Sequence, residues 1–100
     1  MAIHNKKHLM IKDSQRRITF AEFAAIQDSL GLSNEQIALL LGLSLSTVES
    51  FHGTARQKDL CGSPATASIL LLKFLDEHAP GTFSRVKDGF HAWAFAYKPE

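Results

Sequence analysis

The sequence predicts an all-α fold, a compact bundle of about five helices. Three observations predict it. Apolar residues recur at spacings of three and four, serine or threonine precedes several of these segments, and glycine or proline follows them. The length of 100 residues and the hydrophobic content of 45% are those of one globular domain. Because Cys61 is the only cysteine, an internal disulfide and a cysteine-cluster zinc site are excluded.

The first helix is predicted to begin after Thr19, which can form a capping box with Glu22, three residues later. Gly31 then ends the helix, because glycine is the usual residue after a helical C-terminus. Its apolar stripe consists of Phe20, Phe23, Ile26 and Leu30. This spacing places one side of the helix against a core.

Two short helices are predicted next. Ser33 caps the second helix with Gln36 as its capping-box partner, and Gly42 ends that helix. Ser44 caps the third helix, which ends near Gly53. The buried side of this pair is predicted to comprise Ile37, Ala38, Leu40, Leu41, Leu43, Val48 and Phe51.

Residues 54–62 carry charge and lack periodicity, so they predict a loop in which Cys61 is a bystander thiol. Ser63 and Pro64 then start a fourth helix that runs to about His78, since proline at the first helical position loses no hydrogen bond. This helix is apolar nearly all round, which predicts burial on more than one side. Its apolar residues are Ile69, Leu70, Leu71, Leu72, Phe74 and Leu75.

Residues 82–97 have two interpretations. Large aromatic residues alternate with alanines from residue 90 to 97, which indicates a strand. A helix places the large residues on a single stripe and accounts for more of the tail, although Gly89 costs it about 1 kcal/mol. The stripe comprises Phe83, Val86, Phe90, Trp93 and Tyr97.

Several classes of protein are not expected. The longest apolar run, residues 69–75, contains Lys73 and is too short to span a membrane, and the charged first dozen residues do not form a secretory signal. A cytoplasmic protein is therefore expected. His4 and His8 have a metal-ligand spacing on a helix, but no cysteine or carboxylate joins them in a known pattern. Because no catalytic motif is present either, we expect no enzyme, no cofactor and no metal.

Charge is distributed unevenly along the chain. The net charge of the whole chain is +1, but residues 1–17 carry +4, residues 18–55 carry −4 and residues 56–100 carry +1. We divide the chain into a basic arm (1–17), a helical domain (18–79) and an aromatic C-terminal helix (80–100). The middle block contains no lysine or arginine.

Two short helices joined by a tight glycine turn are typical of a helix-turn-helix. Ala38 is small, as a close helix crossing requires, and Gly42 permits the turn. The segment NEQIALLLGLSLSTVESFHG resembles the core of the Xre, Cro and phage repressor family of DNA-binding domains, with a lambda-repressor-like fold. The resemblance extends from about Ile18 to His78. Phe51 stands where that family commonly has tryptophan.

The resemblance implies that the third helix lies in the DNA major groove. The residues expected to contact base edges are Leu45, Ser46, Thr47, Glu49 and Ser50. None of them is an arginine or an amide, so we expect modest discrimination per base and some dependence on DNA shape.

Phosphate contacts must come from helix N-termini and from flanking cations, because the middle of the chain carries no positive side chain. The expected phosphate contacts are Arg16, Arg17, Ser33, Asn34, Ser44, Arg56 and Lys58. So few cations per chain favour a dimer on a two-fold DNA site. The expected dimer contacts are Leu71, Phe74, Phe83, Phe90, Trp93 and Tyr97.

The sequence thus favours a dimeric, sequence-specific transcriptional regulator, and the expected activity is that of a repressor that occupies an inverted-repeat operator and controls its own operon. Its size is similar to that of phage regulators, including anti-CRISPR-associated repressors, and of antitoxins. An alternative is a protein-interaction module, such as an antitoxin-type protein, that keeps the fold without binding DNA. A more distant alternative is the LuxR-type DNA-binding domain, which SNEQIALLLGLSLSTVE also resembles.

Overall fold

The computed structural model describes residues 16–99. Within this range the chain is an all-α bundle, which confirms the predicted fold class. The helices are α1 (Phe20–Leu30), α2 (Asn34–Leu41), α3 (Leu45–Phe51), α4 (Ser63–His78) and α5 (Pro80–Ala96). The C-terminal segment is therefore helical, and the strand interpretation is wrong. Most of the predicted basic arm, including His4 and His8, lies outside the described residues.

The predicted helix boundaries coincide with capping structures. Thr19 and Glu22 form a reciprocal capping box at α1, and Ser33 forms another with Gln36 at α2. Gly42 ends α2 with a φ of +71°, in the left-handed region that side chains resist. Only three residues, 42–44, separate α2 from α3. This short turn restricts how the two helices can be placed relative to each other.

One core joins all five helices. Phe23, Ile37, Val48 and Ile69 are fully buried at its centre. The ring of Phe51 packs against Phe20 and Phe23 from α1, with centroid distances of 4.7 and 4.6 Å. As a result, the inward side of α3 is fixed directly to α1.

The loop between α3 and α4 pairs with the chain just before α1. The backbone N–H of Cys61 donates to the carbonyl of Ile18 at 2.8 Å, and the N–H of Phe20 donates to the carbonyl of Asp59 at 2.8 Å. Cys61 is buried, although the loop around it is polar. The end of this loop is therefore part of the folded core.

The last helix packs on α4 and α2 through its first half only. Phe83 is buried at its start and Val86 is half-buried, whereas residues 87–99 are all exposed. No helix within residues 16–99 is long and apolar enough to cross a membrane.

Candidate nucleic-acid interface

Helix α3 has one buried side and one open side. Val48 and Phe51 lie in the core, while Leu45, Ser46 and Glu49 are exposed. Among the described residues, no other element covers these three side chains. The open side therefore has the accessibility that a contact with a large external partner requires.

Hydroxyl groups dominate the beginning of α3. The Ser44 hydroxyl accepts a hydrogen bond from the backbone N–H of Thr47 and donates to the Thr47 hydroxyl at 2.8 Å. Its oxygen also lies 3.2 Å from that of Ser46. The half-buried Ser50 donates its hydroxyl proton to the Thr47 carbonyl at 2.6 Å. Of the five residues predicted to contact bases, Thr47 and Ser50 thus already have partners within the helix, and Leu45, Ser46 and Glu49 are the most accessible.

The expected phosphate contacts at α2, Ser33 and Asn34, lie at its N-terminus. The Ser33 hydroxyl accepts from the Gln36 N–H, so its capping role occupies one of its acceptor sites. Asn34, the first residue of α2, is half-buried, and its side-chain oxygen accepts a hydrogen bond from Gln27 at 2.8 Å. Asn34 therefore keeps its amide hydrogens for other partners.

The four expected cations differ in their surroundings. Arg17 donates from Nε to the Cys61 carbonyl at 2.7 Å and from Nη2 to the Leu60 carbonyl at 3.3 Å, so its side chain also holds the fold together. Arg56 forms an ion pair with Asp59 and lies over the ring of Phe20, 5.3 Å from its centroid. Asp59 thus offsets the charge expected of Arg56.

Arg16 and Lys58 are exposed, and neither forms an ion pair within residues 16–99. They are the cations best able to approach a phosphate. The structure brings Arg17 and the loop that carries Lys58 to the same end of α1, through the pairing of residues 17–19 with residues 59–61.

One buried amide, that of Gln27, was not predicted from the sequence as a functional group. Gln27 of α1 is only 2% exposed, yet it lies on the apolar stripe between Phe23 and Leu30. Its Oε1 is 2.8 Å from Nε2 of His52, the residue that caps the end of α3. A polar side chain at four residues from Phe23 and three from Leu30 was the available signal, since this spacing places it on the buried side.

The expected dimer contacts divide into an exposed set and one core residue. Phe83 is 6% exposed and packs within its own chain, which corrects its assignment as a dimer contact. Trp93 is 61% exposed and Phe95 is 87% exposed. We define the aromatic surface as five exposed apolar residues, namely Leu71 and Phe74 of α4, Phe90 and Trp93 of α5, and Tyr97 directly after α5.

A groove of about 230 Å³ adjoins the aromatic surface. It is lined by leucines of α2 and α4, including Leu40, Leu41 and Leu71, and by Phe90 of α5. The rings of Phe90, Trp93 and Tyr97 follow one another away from it, with centroid distances of 6.0 and 5.3 Å. The groove and the rings form a continuous apolar region on the side of α2 and α4.

No family model matches the chain, and neither the curated proteins nor the solved structures contain a significant match.

Proposed function

We propose that this protein is a sequence-specific DNA-binding regulator that inserts α3 into the major groove. The observation that carries the proposal is the division of α3: Val48 and Phe51 anchor it in the core, and Leu45, Ser46 and Glu49 are left open. Helix α3 has seven residues, and aromatic packing on its inward side holds it rigidly. An α-helix is of a size that the major groove admits.

The open side chains have chemistry suited to base edges. The hydroxyl of Ser46 can donate or accept, the methyl groups of Leu45 can contact a thymine methyl, and Glu49 can accept from a cytosine amine. Each such contact discriminates less than a bidentate arginine–guanine pair. We therefore expect DNA shape to contribute to the choice of site.

Phosphate binding is assigned to the side chains of Arg16 and Lys58. The first turn of α2, including the Asn34 side chain, is assigned a further contact with the DNA backbone. Arg56 contributes less, because its ion pair with Asp59 must break first. With few cations per chain, the affinity of one chain for DNA should be modest, because release of counterions supplies much of that affinity.

A second copy of the chain is the proposed occupant of the aromatic surface. Its five large side chains are each about half exposed, which is on the order of 100 Å² per side chain and roughly 500 Å² per copy. Stable interfaces bury about 800 Å² per partner, so pairing of two aromatic surfaces approaches what a dimer needs. A two-fold dimer would present two α3 helices to an inverted repeat.

A binding titration tests the proposal. The duplex is the DNA upstream of the gene, the control is a scrambled duplex, and both are measured at two salt concentrations. We expect tighter binding to the upstream DNA and weaker binding to both at higher salt. Ser46→Ala should lose roughly 1 to 3 kcal/mol on the upstream DNA only. Lys58→Ala should weaken both duplexes alike and reduce the salt slope by about one.

One observation favours the alternative of a protein-interaction module. Glu35 and Glu49 are exposed on α2 and α3, and residues 18–55 contain no lysine or arginine to offset them. An acidic surface of this kind suits a basic protein partner. The alternative predicts that neither duplex binds at low salt, which the same titration detects.

A further inference from the structure

The amide of Gln27 is held in one orientation by its neighbours. Its Nε2 donates to the backbone carbonyl of Leu32 at 3.1 Å, and a carbonyl can only accept. The other Nε2 hydrogen is directed to the side chain of Asn34, 2.8 Å away. The identity of the Gln27 nitrogen is thus fixed by a backbone group and does not depend on the other side chains.

This orientation fixes two further groups. The atom of Asn34 that faces Gln27 must be an acceptor, so it is Oδ1, and the Nδ2 amide group of Asn34 is directed away from Gln27. Oε1 of Gln27 is an acceptor as well, so Nε2 of His52 must carry a proton. One buried amide therefore sets the polarity of a side chain at the start of α2 and the tautomer of a ring at the end of α3.

The three helices meet at this amide. Gln27 belongs to α1, Asn34 is the first residue of α2, and His52 is the C-cap of α3. Within residues 16–99 every buried side-chain nitrogen and oxygen has a partner. Removal of the Gln27 amide would leave the Leu32 carbonyl without its side-chain donor. An unpartnered buried polar group is costly, so the network favours the arrangement in which all of its members are bonded.

We propose that Gln27 is a positioning residue for DNA binding: its amide holds the start of α2 and the end of α3 in register and turns the Asn34 amide hydrogens outward. The inference rests on the proposed function, since it assigns the outward Asn34 donor to a phosphate. Gln27 touches no DNA itself and acts through Asn34 and His52.

Two variants, one that conserves side-chain size and one that truncates the side chain, separate positioning from bulk stability. Gln27→Met keeps the buried volume and removes the amide, and Asn34→Ala removes only the outward donor and its bond to Gln27. With both variants folded at the assay temperature by circular dichroism, each should weaken binding to the upstream duplex about five- to tenfold. The double variant should be no weaker than Gln27→Met alone, because Gln27 acts on DNA partly through Asn34.

If Gln27→Met does not fold, His52→Ala takes its place, because it removes the half-buried ring that bonds to the Gln27 amide.

Nuclear magnetic resonance gives a readout independent of DNA. Ring ¹⁵N shifts should show His52 with its proton on Nε2 in the wild type, and a mixed tautomer population in Asn34→Ala combined with Gln27→Met. A folded Gln27→Met or His52→Ala variant with wild-type DNA affinity would overturn the proposal. The proposal would also fail if the loss of DNA affinity in either variant simply added to the loss in Asn34→Ala. An Nδ1-protonated His52 would also overturn it. If the wild type binds no duplex while the tautomer is as expected, the proposed function fails and the hydrogen-bond network stands.

Discussion

The rings of Phe20 and Phe51 lie 4.7 Å apart in a tilted arrangement that joins the start of α1 to the end of α3. Phe51 also contacts Phe23, so two rings of α1 hold the inward side of α3. The outward side of the helix can then be presented in one fixed orientation. The stability of the fold and the proposed DNA contact share this anchor.

Truncation of Phe51 should therefore destabilise the protein strongly. Phe51→Ala removes a buried ring from between two others, and we expect the free energy of unfolding to fall by about 3 to 5 kcal/mol. Urea denaturation followed by circular dichroism measures the change. Phe95→Ala, at an 87% exposed position, is the matched control and should change it by less than about 0.5 kcal/mol. Similar losses in both variants would contradict the anchoring role.

The two glycines Gly42 and Gly89 should respond oppositely to alanine. An alanine Cβ at either position would have no atom within 4 Å, so neither substitution creates a steric clash. The effect of alanine therefore depends on the backbone conformation at each position. Gly42 has a φ of +71°, and Gly42→Ala should cost about 1 to 2 kcal/mol. Gly89 lies inside helix α5, and Gly89→Ala should gain roughly 0.5 to 1 kcal/mol. Thermal unfolding decides the signs, and a stabilising Gly42→Ala would refute the turn geometry.

The aromatic surface should govern association. Trp93→Glu places a carboxylate within it and should give a monomer by sedimentation velocity at tens of micromolar, where the wild type is expected to be dimeric. His91→Glu is the matched control, because it introduces the same group on roughly the opposite side of α5. A monomeric wild type, or equal effects of the two variants, would count against the dimer.

Burial raises the pKa of the Cys61 thiol from 9.0 to about 11, although the nearby positive charge of Arg17 opposes the shift. The unfolded thiol loses its proton near pH 9, whereas the folded thiol retains it. The contribution of Cys61 to stability is therefore complete below pH 9 and is lost as the pH rises towards 11.

Urea denaturation of the wild type and Cys61→Ala across this range isolates the contribution. The wild type should lose more stability than the variant between pH 9 and 11. Ellman's reagent at pH 8 should react slowly with native Cys61 and fast in urea. Parallel pH profiles combined with fast native labelling would show that the thiol is not buried.

The sequence identifies the helices well because their boundaries are encoded locally. Thr19, Ser33 and Ser44 each cap a helix through a side chain a few residues from its partner, and Gly31 and Gly42 each end one. For residues 82–97 the apolar period of three and four residues prevails over the alternating pattern, because it alone gives Phe83 and Val86 a common buried side.

The relationships that the sequence does not reveal are those between distant segments. The buried position of Cys61 follows from its pairing with Ile18, 43 residues earlier. The ion pair of Arg56 with Asp59 is local by contrast, and it competes with a phosphate role for Arg56. The position of Gln27 is indicated by its place on the apolar stripe, but its partners Asn34 and His52 depend on how three helices meet. Phe83 lies in the aromatic stripe, yet the packing of α5 against α4 makes it a core residue.

Insertion of α3 into DNA is tested most directly by mapping the DNA contact with nuclear magnetic resonance. A ¹⁵N-labelled protein is titrated with the upstream duplex, and backbone amide shifts are followed residue by residue. We expect the largest changes at Leu45, Ser46 and Glu49, with smaller changes around Asn34. Binding that shifts the aromatic surface and leaves α3 unchanged would contradict the insertion of α3.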